Sequence, residues 1–256
     1  MEFAGKIAVV TGGAKGIGGA TAEAFLRSGA SVAVLDVDPK VPPFFREYPK
    51  NALYVITDVA REQEVARGMD AAISRFSGID ILINCAGIQR YSRVTDTTEE
   101  EWDLVMGVNL KSAFLCAKHA IPAMQKRGGG VVINLASVQS FLSQQNVAPY
   151  TTSKTALLGL TRSIAVDYAP SIRCVAVCPG TVDTPMFRSA IALSPNPDEV
   201  LQECIEMHPL KRIAAPQEVA DLILFLCSEK AGFITGQYIR IDGGAGLAIA
   251  GSKKEK

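Results

Sequence analysis

The sequence predicts an α/β fold: a single doubly wound parallel sheet with helices on both faces. Three observations predict it. Short runs of Val, Ile, Leu and Ala alternate with longer amphipathic runs along the 256 residues, as successive strand–helix–strand units require. Most of the short runs are continuously apolar, which suits parallel strands covered on both faces. A glycine cluster separates the first strand from the first helix, where such a sheet makes its first tight turn.

The strands are read as Lys6 to Thr11, Ser31 to Asp36, Ala52 to Thr57, Ile79 to Asn84, Gly130 to Leu135, Ile172 to Cys178 and Tyr238 to Asp242. Helical periodicity covers Gly16 to Ser28, Glu62 to Phe76, Glu99 to Lys126, Tyr150 to Tyr168 and Pro216 to Ser228. Gly29 follows the first helix, where a left-handed cap favours glycine. Thr98, with Glu101 three residues on, predicts a capping box ahead of the third helix. Two segments break the rhythm. Pro39 to Pro49 is proline-rich and reads as a loop replacing a helix, and Thr181 to Pro209, with four prolines, reads as an inserted lobe. The small, charged tail Gly251 to Lys256 is expected to fray.

Length and composition bound the function. The chain suits one domain with a sizeable core, since 48% of its residues are hydrophobic and 20% charged. Its 26 basic and 26 acidic residues cancel, so no broad field attracts a nucleic acid. The start, Met1 to Lys6, lacks a signal-peptide core, and no apolar run reaches a membrane-spanning length. The expectation is a cytoplasmic protein with no membrane or nucleic-acid partner. Six scattered cysteines and two histidines give no metal-ligand spacing. The cysteines read as reduced packing residues.

The stretch Thr11-Gly12-Gly13-Ala14-Lys15-Gly16-Ile17-Gly18 lies between a strand and a helix. Glycines there let a backbone approach a pyrophosphate, whose charge meets the free N–H groups of the helix start. Asp36 ends the second strand, about 20 residues on, where a carboxylate bonds the adenosine ribose hydroxyls. It would repel a 2′-phosphate, which favours NAD over NADP. Lys15 pulls the other way, because a cation there could meet that phosphate. Asp36 decides for NAD because its contact is the direct one.

Tyr150 and Lys154, four apart at a helix start, share one helix face. A phenol near pKa 10 is a poor base at neutral pH, and a neighbouring ammonium would lower it. Ser137 follows the strand Gly130 to Leu135 and can hydrogen-bond a substrate oxygen.

Together these residues resemble the short-chain dehydrogenase/reductase family. The matches are Thr11-Gly12-x-x-x-Gly16-x-Gly18, Asp58, Asn84-Cys85-Ala86-Gly87, Asn109, Ser137, Tyr150-x-x-x-Lys154, Pro179-Gly180 and Thr184, in family order from Lys6 to about Gly244. The resemblance implies a Rossmann-type domain with a small substrate lobe near residues 184–209. It implies catalysis by Asn109, Ser137, Tyr150 and Lys154: Tyr150 as general acid/base, Ser137 polarising the carbonyl oxygen, Lys154 holding the nicotinamide ribose and depressing the Tyr150 pKa. Asn109 would lie in a kinked part of the long helix and support a water relay to Lys154. Asp58 would contact the adenine, while Pro179, Gly180 and Thr184 flank the nicotinamide. Cofactor contacts are further expected from Ile17, Val59, Ala86, Gly87, Val182 and Asn84. The family commonly has Asn where Cys85 stands, which touches only a secondary loop contact.

The expected activity is NAD(P)-dependent interconversion of a secondary alcohol and its carbonyl. Gln139, Gln144, Gln145 and Asn146 are amides that could bond several hydroxyls, which suggests a sugar or polyol. Gln89 and Met186 are further expected substrate contacts, with Phe187, Ile191 and Leu193 beside Met186 as an apolar lid. Alternatives are a 3-oxoacyl-carrier-protein reductase-like enzyme, or a non-catalytic nucleotide-sensing protein on the same fold. Hydrolase chemistry lacks support: no G-x-S-x-G elbow occurs, and neither His119 nor His208 has an evident catalytic partner. By the same resemblance, a homotetramer is expected, joined through the helices Glu99 to Lys126 and Tyr150 to Tyr168 and through the apolar segment Gly243 to Ala250.

Overall fold

The computed structural model describes residues 1–247. The tail from Gly251, and the end of the Gly243 to Ala250 segment, lie outside the described residues. Seven strands form one parallel sheet in the order β3-β2-β1-β4-β5-β6-β7. They are β1 (Ile7–Thr11), β2 (Ser31–Asp36), β3 (Ala52–Ile56), β4 (Ile81–Asn84), β5 (Gly130–Leu135), β6 (Ile172–Pro179) and β7 (Tyr238–Ile241). The order reverses between β1 and β4, so a crevice opens there at the carboxyl ends of the strands.

Side chains alternate between two cores, as the twofold period of a strand dictates. Ala8, Val10, Val32 and Val34 face a core shared with Phe25 of α1 (Gly16–Arg27) and Ile223 of α8 (Pro216–Cys227). Val9, Ala33 and Leu35 face the opposite core, with Met69 of α2 (Glu62–Phe76) and Leu115 of α4 (Ser112–Lys126). Both faces of β1, β4 and β5 are dry, which is why these central strands carry no alternating polar residues, while the edge strands β3 and β7 are partly exposed.

The expected helix Glu99 to Lys126 is interrupted. α3 (Glu99–Met106) passes through one wide π turn, Gly107–Lys111, before α4 begins. The capping box before it is half made. Thr98 accepts the Glu101 N–H at 3.2 Å, but the Glu101 carboxylate accepts from the Ser92 hydroxyl at 2.8 Å instead of returning to the cap. α5 (Ala148–Tyr168) starts two residues before Tyr150, with Pro149 in its first turn, where a missing N–H costs nothing. The loop expected over Pro39 to Pro49 holds one 3₁₀ turn, Pro43–Glu47, whose Phe45 meets Tyr54 edge-on at 5.6 Å between ring centroids. The lobe contains α6 (Pro185–Ile191) and α7 (Pro197–Glu206). All six cysteines are free thiols, five of them buried. Among the described residues no helix is long and apolar enough to cross a membrane.

Candidate active site

A cavity of about 1200 Å³ runs along the carboxyl edge of the sheet, across the β1/β4 reversal. The glycine turn forms its floor. A Cβ on Gly18 would stand 2.2 Å from the Gly12 carbonyl oxygen, so only glycine lets α1 start this close to the β1 turn. Thr11 fixes the facing loop: its hydroxyl accepts the N–H groups of Cys85 and Ala86 at 3.0 and 3.1 Å. Gly12, Lys15, Gly16, Ile17, Gly18, Ala86 and Gly87 all line the cavity.

The β2 and β3 ends supply the acids. Asp36 lines the cavity while its Oδ2 accepts the Ala14 N–H at 2.9 Å and its Oδ1 the Asp38 N–H at 3.0 Å. Lys15 points at Asp38, with 3.8 Å between Nζ and Oδ2. Asp58 and Val59 also line this part. The Asp58 carboxylate is tied to the start of α2 through the Ala60 N–H and the Arg61 guanidinium. The glycine cradle, the helix start and an acid at the β2 end together fit a dinucleotide.

Asn84 behaves differently from the expectation. Its side chain is buried beneath the cavity and is not among the lining groups. Its Nδ2 donates to Asn134 Oδ1 at 2.9 Å, and Asn134 donates in turn to Thr161 of α5. It therefore fastens β4 to β5 and α5 as part of a buried polar chain.

On the far side of the reversal, Ser137, Tyr150 and Lys154 converge on the same cavity. Ser137 leaves β5 in extended conformation and accepts the Gln139 N–H at 3.1 Å. Its hydroxyl also hydrogen-bonds the Tyr150 phenol, which lowers the phenol's pKa. Burial outweighs that bond and pushes Tyr150 up to about 12. The depression expected from Lys154 is not what governs it. The Lys154 ammonium lies 5.7 Å from the Tyr150 ring centroid but donates to the Leu135 carbonyl at 2.7 Å. Its own burial lowers its pKa to about 8.

Asn109 occupies the π turn and does not line the cavity. Its Oδ1 accepts the Ile88 N–H at 2.8 Å, and its Nδ2 donates to the Ile88 carbonyl and to Ser153 Oγ at 2.9 and 3.0 Å. The widened turn brings this amide between the β4 loop and α5. Its polar atoms are thus engaged in holding the wall in place, and the relay role rests on the resemblance alone.

Pro179, Gly180, Val182 and Thr184 line the cavity after β6, and Thr184 caps α6 by accepting the Phe187 N–H at 3.2 Å. Gln89, Gln139, Gln144, Met186, Phe187 and Ile191 line it as expected, whereas Gln145, Asn146 and Leu193 do not. The Gln139 amide donates to Gln144 at 3.0 Å and accepts from the Thr151 hydroxyl at 3.3 Å. Val200, Met207 and His208, inside the expected substrate lobe, and Leu142 and Tyr91 also line the cavity, though none of the five is singled out from the sequence as a lining residue. No motif marks them, since each reaches the cavity through tertiary packing of a loop or the lobe.

A doubly wound sheet with Ser137, Tyr150 and Lys154 across the reversal from a glycine cradle defines a dinucleotide-dependent oxidoreductase. The chain belongs to the short-chain dehydrogenase/reductase family. Residues 12–246 match the family model described as Enoyl-(Acyl carrier protein) reductase. An uncharacterized oxidoreductase of Thermotoga maritima is 40% identical over 250 residues, covering 96% of this chain and 99% of that protein. Dehydrogenase/reductase SDR family member 6 of Danio rerio is 37% identical over 242 residues, covering 94% and 97%. The solved ligand-free aldohexose dehydrogenase of Thermoplasma acidophilum superposes with a TM-score of 0.91 at 37% identity, covering 98% of this chain and 97% of that one.

Proposed function

We propose that the protein is an NAD-preferring dehydrogenase that oxidises a secondary hydroxyl of a sugar or polyol and catalyses the reverse reduction. The observation that carries this reading is the convergence of Ser137, Tyr150 and Lys154 on one cavity with the glycine cradle and Asp36. Ser137 holds the substrate oxygen, and Tyr150 takes the hydroxyl proton in oxidation and returns it in reduction. Lys154 binds the nicotinamide ribose. When bound, the dinucleotide supplies the hydride acceptor or donor. Of the remaining expected contacts, Asn84 acts through the β4–β5 packing, and Asn109 acts by positioning the loop and α5.

The NAD preference is supported by two contacts. Asp36 lines the cavity at the end of β2, where its carboxylate would repel a 2′-phosphate, and Lys15, the cation that could offset it, faces Asp38. The sugar reading is supported by the Gln89, Gln139 and Gln144 amides and by the likeness to an aldohexose dehydrogenase. The exposed Trp102, Leu104, Phe114 and Val166 on α3, α4 and α5 support a homotetramer joined through those helices, and the reading places it in the cytoplasm. A second reading, reduction of the 3-oxo group of an acyl chain on a carrier protein, draws support from the matched family model, whose description names the same carrier but an enoyl bond in place of the carbonyl.

Initial rates with NAD and NADP across aldoses, polyols and secondary alcohols, with acetoacetyl-thioester reduction alongside, test the proposal. NAD reduction by a sugar or polyol is the expected result. Preferred NADPH oxidation with the thioester would replace it by the second reading.

A further inference from the structure

The cavity is one volume with two chemistries, and strand order separates them. Lys15, Asp36, Asp38 and Asp58 line the part over β1, β2 and β3. The part over β4, β5 and β6 receives the lobe. Among the described residues, the only Asp, Glu, Lys or Arg that lines this second part is Lys154, whose ammonium donates one bond to the Leu135 carbonyl and is assigned to the nicotinamide ribose by the reading above.

His208 adds no charge there. It is buried, its Nε2 accepts the Thr181 N–H at 3.1 Å, and its Nδ1 lies 2.6 Å from the Cys204 carbonyl. A backbone N–H can only donate and a carbonyl only accept, so the ring carries its proton on Nδ1 and is neutral. Of three bordering cations, Arg90, between Gln89 and Tyr91, is exposed and donates to the Gln89 carbonyl, and the other two are paired with carboxylates. Arg188, next to Phe187, forms a two-pronged pair with Asp183, at 2.7 Å for Nη2. Arg240, beside Gly246, pairs with Asp242.

The walls that remain differ from each other. Met186, Phe187, Ile191, Val200 and Met207 present hydrocarbon and thioether from the lobe side. Gln89, Gln139 and Gln144 present amides, each able both to donate and to accept.

We propose that the substrate is uncharged in the portion this cavity holds, and that it is lopsided, with hydroxyls on the amide side and a hydrocarbon face against the lobe. This rests on the alcohol-oxidising reading above and narrows its substrate class. A carboxylate, sulfonate or phosphate placed here would lose its hydration and meet, among the described lining residues, no cation but the Lys154 ammonium that the proposed reading assigns to the nicotinamide ribose, a cost that ordinary binding contacts do not offset.

The test compares kcat/KM for NAD-linked oxidation in two matched series. One is 6-deoxyglucose, glucose and glucuronate, which differ only in methyl, hydroxymethyl and carboxylate at one carbon. The other is butane-2,3-diol, methyl 3-hydroxybutyrate and 3-hydroxybutyrate. In the series that turns over, the anion falls below its neutral partners by roughly a hundredfold or more, and 6-deoxyglucose at least equals glucose. Met186→Arg, which adds a cation to the apolar wall, narrows the neutral-to-anion gap at least about tenfold. An anion oxidised as fast as its neutral partner overturns the proposal and leaves the dehydrogenase reading standing. Silent sugars with butane-2,3-diol oxidised and 3-hydroxybutyrate refused remove the sugar reading and support this one. Silence in both series overturns the alcohol reading and this proposal with it.

Discussion

Tyr150 and Lys154 were legible as a pair because four residues on a helix is a local relation. Their protonation was not legible, because it depends on how deeply the fold buries them. With burial holding the Tyr150 phenol at about 12, the acid form dominates at neutral pH. The unliganded side chain is thus poised to give a proton to a carbonyl rather than take one from an alcohol. Alcohol oxidation by the enzyme is expected to speed up with pH through the alkaline range, while carbonyl reduction holds level or slows, and opposed pH–rate profiles measured in the two directions check it. Tyr150→Phe should cost about a thousandfold in kcat in either direction, a magnitude usual for a positioned general acid/base, with an unchanged circular-dichroism spectrum.

Lys154 carries a second consequence at this scale. Its folded pKa is lowered from 10.5 to about 8, so below pH 8 both folded and unfolded chains hold the proton and the folded one bears the full cost of a buried ammonium. Between pH 8 and 10.5 the folded chain has released it and the unfolded chain has not. Stability from this group therefore rises with pH across that window. The difference corresponds to about 3 kcal/mol. Lys154→Met should abolish turnover yet resist urea better than the parent at pH 7, and the advantage should shrink toward pH 10. A less stable variant at pH 7 would show that the bond to Leu135 outweighs the burial of charge.

The elements themselves were readable wherever one period ran unbroken. Strand positions held to within two residues because a strand dry on both faces admits only a narrow set of residue types. The π turn at Gly107–Lys111 left no mark in the hydrophobic pattern, since one extra residue in a turn barely disturbs the apolar stripe. Only the family resemblance, through Asn109, pointed to an irregularity there. Structurally the turn serves to aim that amide, which joins Ile88 to Ser153. Asn109→Ala would leave the Ile88 N–H and carbonyl without their side-chain partner, and the variant should lose about 1–3 kcal/mol of stability. Asn109→Asp, which can still accept from Ile88 but cannot donate to its carbonyl, should recover part of that loss. Urea titrations of the two variants against the parent check the order. The half-formed capping box teaches the same limit. The Thr98–Glu101 spacing offers the reciprocal bond as a local option, and only its Thr98 half forms, because Ser92, nine residues upstream of Glu101, captures the carboxylate.

At the scale of the molecule, strand alternation and the glycine turn were enough to predict the sheet, and the order reversal then dictates where a ligand lies. The lobe over 184–209 was legible as the segment that covers it, but not which of its residues, such as Met207 and His208, reach the cavity. The same geometry makes one prediction about the whole chain. A dinucleotide spanning the β1/β4 reversal would contact strand ends from both halves of the sheet, so its binding energy should appear as global stability. At a hundred times its dissociation constant a ligand adds about 2.7 kcal/mol, which for a chain of this size raises Tm by roughly 5–10 °C. On the proposed contact of Asp36 with the ribose, and with Lys15 turned to Asp38, NAD should produce that shift at concentrations where NADP produces little. Calorimetric scans at matched concentrations of the two decide it. A larger shift with NADP would mean that Lys15 leaves Asp38 for the 2′-phosphate, and the acid at the end of β2 would then no longer select the cofactor.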